Sequence, residues 1–371
     1  MEKKISVGVL FGGRSAEHEV SVRSAHSLLE AIDRDKYDVT LIGIDREGRW
    51  LLPADAAKML TLGKVEGDGT AIPVALDYSG SRQLVLQNRT QSSVPSELDI
   101  VFPLLHGPFG EDGTVQGFLE LADVAYVGSG VLGSAVSMDK DMMKRVLRAG
   151  GIPQVAHAAV LRSRWRACGS SVQEEIERDF TYPLFVKPAN LGSSVGISKV
   201  HEGGELAPAM EAAARYDRKI IIEADAGHGS REVECSVLGY ENPIVSVVGE
   251  VLPAGEFYDY DAKYKDSDSE LIIPAHLDQT TTERVQQLAK QTFLAVEAAG
   301  LARVDLFVQR DGTVIVNEIN TIPGFTPISM YPKLWAASGI SYTELIDRLL
   351  ELAVERHRDR SDSTTDHNPR G

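Results

Sequence analysis

The sequence predicts an α/β (α+β) protein in three parts, the first of which is an open, Rossmann-like sheet. An apolar strand over 5–10 leads through two glycines into a helical pattern over 17–32 and a second strand over 37–44, which is a β-α-β opening. Strand-like segments dominate the middle of the chain, and helical patterns flank them. At 371 residues the chain exceeds one ordinary core, so we expect about two to three domains.

Glycines and changes of pattern indicate the domain limits. Gly128-Ser-Gly130 and Leu132-Gly133 mark one boundary, so we expect an N-terminal Rossmann-like domain over 1–128. Residues 358–371 are polar and without periodicity, which predicts a disordered tail. Residues 46–91 are interpreted as an insertion that elaborates the first domain and carries no chemistry.

Composition excludes several classes of protein. Hydrophobic residues make up 43% and charged residues 25%, and no uninterrupted apolar run approaches the roughly 20 residues of a membrane span. The first residues lack the apolar region of a signal peptide, so we expect a cytoplasmic protein. A net charge of -16 argues against binding to a nucleic-acid backbone. The two cysteines, Cys168 and Cys235, have no metal-ligand spacing and predict neither a disulfide framework nor a zinc site.

Two polar loops follow predicted parallel strands. The first is Gly12-Gly-Arg-Ser-Ala-Glu-His-Glu-Val-Ser21, and the second is His106-Gly-Pro-Phe-Gly-Glu-Asp-Gly-Thr114. In open α/β sheets ligands gather at the carboxyl ends of the strands, so we expect both loops to face one crevice. Further on, Ser137 is the expected N-cap of a helix over 138–149.

The segment over 302–320 carries a strong hairpin signal, because Asp311-Gly312 lies between alternating apolar residues. A two-residue turn there pairs Arg310 with Thr313. Residues two apart on a strand point to the same face. The register therefore places two facing pairs on one face: Asp305 with Glu318, and Arg303 with Asn320.

These facing carboxylates predict a metal site. Two opposed acids repel unless something compensates their charge, and a divalent cation is the simplest compensation. Asp305, Glu318 and the Asn320 oxygen form a hard oxygen-donor set suited to Mg²⁺. The alternative is a solvated face on which Arg303 pairs with the acids, and a register slip of one residue would break the cluster.

A possible phosphate loop lies at Lys187-Pro-Ala-Asn-Leu-Gly-Ser-Ser-Val-Gly196. Backbone N–H groups, the Ser193 and Ser194 hydroxyls and one ammonium are what a polyphosphate needs. The loop is not a Walker A motif, because the residues after Gly196 form a predicted strand, and we expect it to join two antiparallel strands. An ordinary Gly/Ser hairpin loop is the alternative.

A third segment, over 257–269, interleaves aromatic and charged residues. It is too polar for a core strand and suits a loop that closes over a ligand, although a Tyr-rich surface loop is an equal alternative.

Taken together, these motifs resemble the D-alanine:D-alanine ligase family of the ATP-grasp superfamily, nearly end to end. Besides the two polar loops, the motifs are Ser137-Met-Asp-Lys140, Gly192-Ser-Ser-Val-Gly196, Tyr258-Asp-Tyr-Asp-Ala-Lys-Tyr264, Arg303-Val-Asp305 and Asn317-Glu-Ile-Asn-Thr-Ile-Pro-Gly324. The resemblance implies a three-domain ATP-grasp fold, with the substrate domain over 1–128, a small central domain over 129–222 and a C-terminal catalytic domain over 223–357. It also implies an ATP-dependent ligase that makes D-alanyl-D-alanine for peptidoglycan through a D-alanyl phosphate, releasing ADP and phosphate.

The resemblance implies a role for each matching residue. Lys140, Lys187, Ser193 and Ser194 would bind the phosphates of ATP, with Glu223 at the adenine and Glu232 at the ribose. Two Mg²⁺ ions, replaceable by Mn²⁺, would bind at Asp305, Glu318 and Asn320. Glu17 would hold the ammonium of the first D-alanine, joined by Ser193 and Tyr264. Lys263 and Ser329 would take the carboxylate of the second, in a pocket lined by His106. Arg303 and the Gly324 N–H would stabilise the oxyanion. The family also favours a homodimer.

Three alternatives remain open at this point. A ligase of the same fold could use D-lactate or D-serine as second substrate, although the tyrosine at 264 favours the dipeptide. A non-catalytic nucleotide-binding relative would have lost the metal and oxyanion residues, all of which are present. A dinucleotide-binding dehydrogenase is weaker still, because Phe11-Gly-Gly-Arg-Ser-Ala16 is not GxGxxG.

Overall fold

Three β-sheets organise the chain in a computed structural model, which describes residues 3–53, 56–66, 71–77, 79, 81–86, 97–252 and 270–363. The first sheet has seven strands in the order β5-β4-β3-β2-β1-β6-β7. They are β1 (Ile5–Gly12), β2 (Tyr37–Ile44), β3 (Trp50–Leu52), β4 (Ile72–Leu76), β5 (Leu84–Leu86), β6 (Ile100–Pro103) and β7 (Ala125–Tyr126). Strands β2, β1, β6 and β7 pair in parallel, as the β-α-β opening predicts. The insertion adds the antiparallel edge β3–β5.

Helices α1 (His18–Ala31), α2 (Ala56–Thr61) and α3 (Thr114–Leu121) accompany the first sheet. The buried residues of α1 include Val22, Ala25 and Leu28, which recur at the helical spacing read from the sequence. The first polar loop follows β1 and the second follows β6, and these two strands are neighbours in the sheet. The next strand in sequence after β1, β2, lies on the other side of β1. This is the switch point at which open sheets bind ligands.

The second sheet is antiparallel, in the order β10-β9-β11-β8. Its strands are β8 (His157–Leu161), β9 (Leu184–Pro188), β10 (Ser198–Val200) and β11 (Lys219–Ala224). Helices α6 (Arg162–Asp179) and α7 (Gly203–Tyr216) pack on it through a shared core. Strands β9 and β10 flank the Gly/Ser loop, so the expectation that this loop joins antiparallel strands is confirmed.

The third sheet has the order β14-β13-β12-β15-β16. Its strands are β12 (Arg231–Gly239), β13 (Ile244–Leu252), β14 (Glu270–Ile272), β15 (Gly300–Val308) and β16 (Val314–Asn320). Helices α4 (Val131–Met138), α5 (Lys140–Ala149) and α8 (Gln279–Ala295) lie near it. Met143 and Leu147 of α5 enter its core, whereas Lys140 and Lys144 lie on the polar side of the same helix. This helix therefore carries lysines between the second and third sheets.

The expected cap of this helix is wrong. The predicted single helix over 138–149 is two helices that meet at Asp139, whose side chain accepts a hydrogen bond from the Met142 N–H at 3.1 Å. Asp139 is thus the N-cap of α5, and Ser137 belongs to α4. Asp is as good a cap as Ser, so the pattern did not decide between them. The new boundary places Lys140 at the first position of α5.

Helix α9 (Met330–Ala337) packs on β12 and β13 of the third sheet, whereas α10 (Tyr342–Ser361) returns to the first sheet. Phe325, which precedes both helices, packs on Phe102 of the first sheet. The predicted tail began at 358, and that limit is wrong because α10 continues to Ser361. Arg360 pairs with Glu120 at 2.9 Å and Tyr240 donates to Asp359 at 2.8 Å, which tie down this last turn. Residues 364–371 lie outside the described chain. None of the helices that the structure describes is long and apolar enough to cross a bilayer.

Candidate active site

A cleft between the second and third sheets collects most of the residues predicted to bind nucleotide. Strands β9, β11 and β12 and the hairpin β15–β16 provide its walls. Its lining includes Lys187, Ser194, Glu223, Glu232, Asp305 and Glu318. Phe185 and Phe307 add aromatic faces from the two opposing sheets, which suits a base held between two layers.

The back of the cleft contains a buried charge cluster. The Lys187 Nζ lies 2.6 Å from the Glu223 Oε2, and the Lys144 Nζ lies 3.2 Å from the Glu223 Oε1. Burial alone would raise the pKa of Glu223, but attraction to the two ammonium groups outweighs it and lowers the pKa to about 2. Burial also lowers the pKa of Lys144. The carboxylate at the predicted adenine position is therefore ionised at neutral pH.

Lys140 joins the Gly/Ser loop to the hairpin. Its ammonium donates to the Leu191 carbonyl at 2.9 Å and lies 3.4 Å from the Glu318 Oε2. Because α5 begins at this lysine, the side chain projects from a helix end that is fixed by its cap. One cation is thus shared between the predicted phosphate loop and a predicted metal ligand.

The hairpin places the predicted residues in the predicted register, but by a different path. Asp305 pairs with Glu318 and Arg303 with Asn320. The turn has three residues instead of two, because the Gln309 N–H donates to the Thr313 carbonyl at 2.8 Å. That turn alone would place Asp305 opposite Asn317. A bulge between Asp305 and Leu306 restores the pairing, so the predicted turn is wrong and the predicted pairs are confirmed.

Cations of the chain compensate the hairpin acids. Both Arg303 Nε and Nη2 donate to the Asp305 carboxylate at 2.7 Å, and the Asn320 Nδ2 donates to it at 3.1 Å. Glu234 lies opposite Asp305 on β12, with its Oε2 3.1 Å from the Arg303 Nε. The sequence left two possibilities for these acids, pairing with Arg303 or binding a metal. The structure contains the Arg303 pair, and it also places the predicted metal ligands together.

The oxygen donors of the hairpin suit Mg²⁺, which keeps water and phosphate ligands, better than a metal ion held entirely by protein side chains. Among the residues described, no group of three or more His, Cys, Asp and Glu side chains can hold an ion by itself. Asp305 and Glu318 offer hard oxygens on one wall of an open cleft, and Asn320 lies two residues beyond Glu318 on the same strand. An ion there would complete its coordination with phosphate oxygens and water, as Mg²⁺ commonly does.

A second polar site lies at the carboxyl end of the first sheet. The Ser193 hydroxyl donates a hydrogen bond to the Glu17 carboxylate, which is 176 residues earlier. Ser193 and Ser194 both hold left-handed backbone conformations, with φ of 51° and 55°. Such conformations are costly for serine and are concentrated at functional sites. The Gly/Ser loop therefore reaches from the cleft to the first polar loop.

The second polar loop is tied to the segment after β16. The His106 Nδ1 lies 2.9 Å from the Ile322 carbonyl oxygen, so that nitrogen carries the proton. Glu111 accepts from the Gly107 N–H at 2.6 Å and from the Ile322 N–H at 3.2 Å. Burial, aided by repulsion from Glu17, raises the pKa of Glu111 to about 8. These bonds hold the His106 loop against the segment that leads to Gly324.

Two further predicted residues, Gly324 and Ser329, follow this segment along the chain. A Cβ atom on Gly324 would lie 3.0 Å from the Ser329 Oγ, so the two residues are in close contact. Ser329 is the N-cap residue of α9, and its Oγ accepts from the Thr326 N–H at 3.2 Å. Lys263, Tyr264 and the whole segment over 257–269 lie outside the described residues, so the closing loop stays a prediction.

Three residues of the site were missed by sequence reasoning. Lys144 could have been found, because it follows Lys140 by four residues and so shares its helix face. Glu111 stands inside a quoted motif, but its partner Ile322 is 211 residues away. Glu234 depends on the β12–β15 register, which no short turn fixes.

Comparison with known proteins agrees with this arrangement. A family model described as the D-ala D-ala ligase N-terminus matches residues 6–129, and one described as the D-ala D-ala ligase C-terminus matches residues 146–351. The chain is 48% identical to the D-alanine--D-alanine ligase of Geobacillus kaustophilus, covering 97% of this chain and 98% of that protein. It is 49% identical to the corresponding ligase of Shouchella clausii, covering 96% of each.

Solved structures show the same likeness. The D-alanine-D-alanine ligase from Coxiella burnetii is 38% identical with a TM-score of 0.83, over 97% of both chains. The VanG D-Ala:D-Ser ligase from Enterococcus faecalis is 36% identical with a TM-score of 0.84, over 95% of this chain and 100% of that one. The predicted ATP-grasp fold is confirmed by these neighbours. The chain belongs to the D-alanine–D-alanine ligase family.

Proposed function

We propose that this chain joins two molecules of D-alanine into D-alanyl-D-alanine for peptidoglycan synthesis, consuming ATP and releasing ADP and phosphate. One observation carries the proposal. Neighbouring residues of one loop face two sites, since Ser194 lines the cleft and Ser193 is bonded to Glu17. A phosphate bound by that loop and an amino acid bound at Glu17 would thus be neighbours, as phosphoryl transfer between them requires.

The nucleotide roles follow from the cleft. Lys140 and Lys187 would bind the phosphates of ATP as point charges, with the Ser193 N–H and the N–H and hydroxyl of Ser194 as further donors. Glu223 would accept from the adenine amino group, and Glu232 would bind the ribose. Their support is that Lys187, Ser194, Glu223 and Glu232 line one continuous cleft.

A divalent cation would be held by Asp305, Glu318 and Asn320. It would neutralise phosphate charge during transfer, and Mg²⁺ or Mn²⁺ suits the oxygen donors. We propose two such ions. Arg303, bonded to Asp305, is positioned by the same hairpin and would stabilise the oxyanion together with the Gly324 N–H.

The reaction would proceed in two steps, phosphorylation of the first D-alanine and attack by the second. A carboxylate oxygen of the first D-alanine attacks the γ-phosphorus, so that ADP leaves and an acyl phosphate forms. The amine of the second D-alanine, having lost one proton to solvent, attacks the acyl carbon. Phosphate then leaves with the former carboxylate oxygen, and the nitrogen releases its second proton to solvent. Glu17, with Ser193 and Tyr264, would hold the first ammonium. Lys263 and Ser329 would hold the second carboxylate, in a pocket lined by His106.

The second substrate separates this proposal from its nearest alternative. The likeness to a D-Ala:D-Ser ligase is as close in fold as the likeness to a D-alanine–D-alanine ligase. The relatives of higher identity, at 48% and 49%, are both named D-alanine--D-alanine ligase, which favours D-alanine as the second substrate. The homodimer and the cytoplasmic location stay predictions.

Product analysis tests the proposal. The enzyme is incubated with ATP and Mg²⁺ plus D-alanine, L-alanine, D-alanine with D-serine, or D-alanine with D-lactate, and the products are identified by mass. We expect D-alanyl-D-alanine and ADP in equal amounts, and no product from L-alanine. Glu17→Gln is the matched site control and should form less dipeptide, because Glu17 would hold the first ammonium. ADP release independent of D-alanine would contradict the proposal, and a mixed product as the major species would identify the alternative.

A further inference from the structure

We propose that Lys144 is a positioning residue of the nucleotide cleft, which acts as the lasting counter-ion of Glu223 and so frees Lys187 to bind phosphate. The inference rests on the proposed function, because it assumes that ATP phosphates bind at Lys187.

The geometry assigns different tasks to the two lysines. Each binds one oxygen of the same carboxylate, Lys144 at 3.2 Å and Lys187 at 2.6 Å. The Lys144 side chain is 0% exposed, whereas Lys187 is 10% exposed and lines the cleft. Of these two lysines, therefore, Lys187 is the one whose ammonium group can contact a ligand in the cleft.

Charge balance explains why both are needed. Glu223 is buried at 3% exposure, and a buried carboxylate without a cation is strongly unfavourable. If Lys187 were its only partner, a phosphate would have to compete with that carboxylate for the ammonium group. Lys144 keeps a cation at Glu223 when Lys187 turns toward phosphate.

A second contact links Lys144 to the hairpin. Its ammonium donates to the Asn317 carbonyl at 3.4 Å, and Asn317 lies at the bulge that sets the position of Glu318. The main chain nearby is fixed as well, because the Gln154 Nε2 donates to the Lys144 carbonyl at 2.6 Å. Lys144 thus connects β11 of the second sheet with β16 of the third.

Calorimetric titration of Lys144→Met with ATP and with adenosine tests this role. Lys187 would stay bound to Glu223 in this variant, so we expect affinity for ATP to fall about 10- to 100-fold, the value of one charge-assisted hydrogen bond. Affinity for adenosine, which has no phosphate, should change far less. Lys36→Met is the control for the loss of one ion-paired lysine, because Lys36 pairs with Asp347 at 2.7 Å and is not among the residues that line the cleft. It should leave the ratio of the two affinities at the wild-type value.

The double variant Lys144→Met/Glu223→Gln is the decisive comparison. It leaves no unpaired buried carboxylate, so it should fold even if Lys144→Met does not. With Glu223 neutral, Lys187 is free, and the ratio of ATP to adenosine affinity should equal that of Glu223→Gln alone. A ratio lower than in Glu223→Gln would overturn the proposal, as would a wild-type ratio in a folded Lys144→Met.

Lys187→Met separates this inference from the proposed function. If wild-type protein does not prefer ATP to adenosine, or if Lys187→Met keeps the preference, then the nucleotide role of Lys187 fails. If Lys187→Met loses the preference while folded Lys144→Met keeps it, only the role of Lys144 fails.

Discussion

Ser193 donates its hydroxyl hydrogen to Glu17, which joins the Gly/Ser loop of the second sheet to the first polar loop. The bond crosses between two sheets, and the next residue, Ser194, lines the nucleotide cleft. Of these adjacent serines, Ser193 contacts the predicted D-alanine site and Ser194 the nucleotide cleft. Single substitutions can therefore separate the functions of the two sites.

Ser193→Ala should weaken binding of the first D-alanine. A hydrogen bond to a charged group contributes about 1.5–3 kcal/mol, so we expect KM for D-alanine to rise about 10- to 100-fold. The KM for ATP should change far less. Ser194→Ala is the paired variant and should show the opposite preference, which initial rates with each substrate varied in turn would measure. Equal effects of both variants on both substrates would contradict the division.

Glu111 should make stability depend on pH in a particular direction. Its pKa is raised from 4.5 to about 8 in the folded protein, so the folded state binds a proton that the unfolded state releases. Its contribution to stability is thus complete below about pH 4.5 and is lost as pH rises to about 8. Glu111→Gln cannot titrate. The Tm of the variant minus that of the wild type should therefore increase steadily from pH 5 to pH 8, and a constant difference would refute the raised pKa.

The hairpin shows why local sequence predicted much of this site. Asp305, Glu318, Arg303 and Asn320 lie within 18 residues of one another on two adjacent strands, so a turn signal and the two-residue strand period suffice to pair them. The pairing nevertheless depended on two differences that cancelled. A turn longer by one residue shifts the register, and the bulge at Asn317 shifts it back.

Contacts between distant segments were the part that sequence reasoning could not supply. Glu234 meets Arg303 only because β12 pairs with β15, and 60 residues separate Gly239 from Gly300 where that pairing begins. The charge cluster at Glu223 needs a lysine from α5 and another from β9. Such partners depend on how sheets and helices dock, which no periodicity within one segment encodes.

Gly324→Ala should impair use of the second D-alanine. The added Cβ would lie 3.0 Å from the Ser329 Oγ, and crowding of this kind costs about 1–3 kcal/mol. We expect kcat/KM for D-alanine at saturating ATP to fall about tenfold or more. Gly204→Ala is a matched control, because a Cβ there meets no atom within 4 Å among the described residues. If both alanine variants behave like the wild type, Ser329 does not need its present position.

Glu318→Gln should slow turnover strongly while leaving the fold almost unchanged. The side chain is 22% exposed and lies 3.4 Å from the Lys140 Nζ, and Lys140 keeps its hydrogen bond to the Leu191 carbonyl, so we expect a much smaller effect on stability than on turnover. As a predicted metal ligand it should matter far more for catalysis, and we expect kcat to fall about 100- to 1,000-fold with a higher Mg²⁺ requirement. Asp311→Asn is the control at the other end of the same hairpin, where Asp311 is exposed and accepts from the Thr313 N–H at 2.9 Å. Rates and Tm measured across a Mg²⁺ series would decide the matter. Proportional losses of activity and stability in Glu318→Gln, or an unchanged Mg²⁺ dependence, would show that this carboxylate serves the ion pair with Lys140 and not a metal.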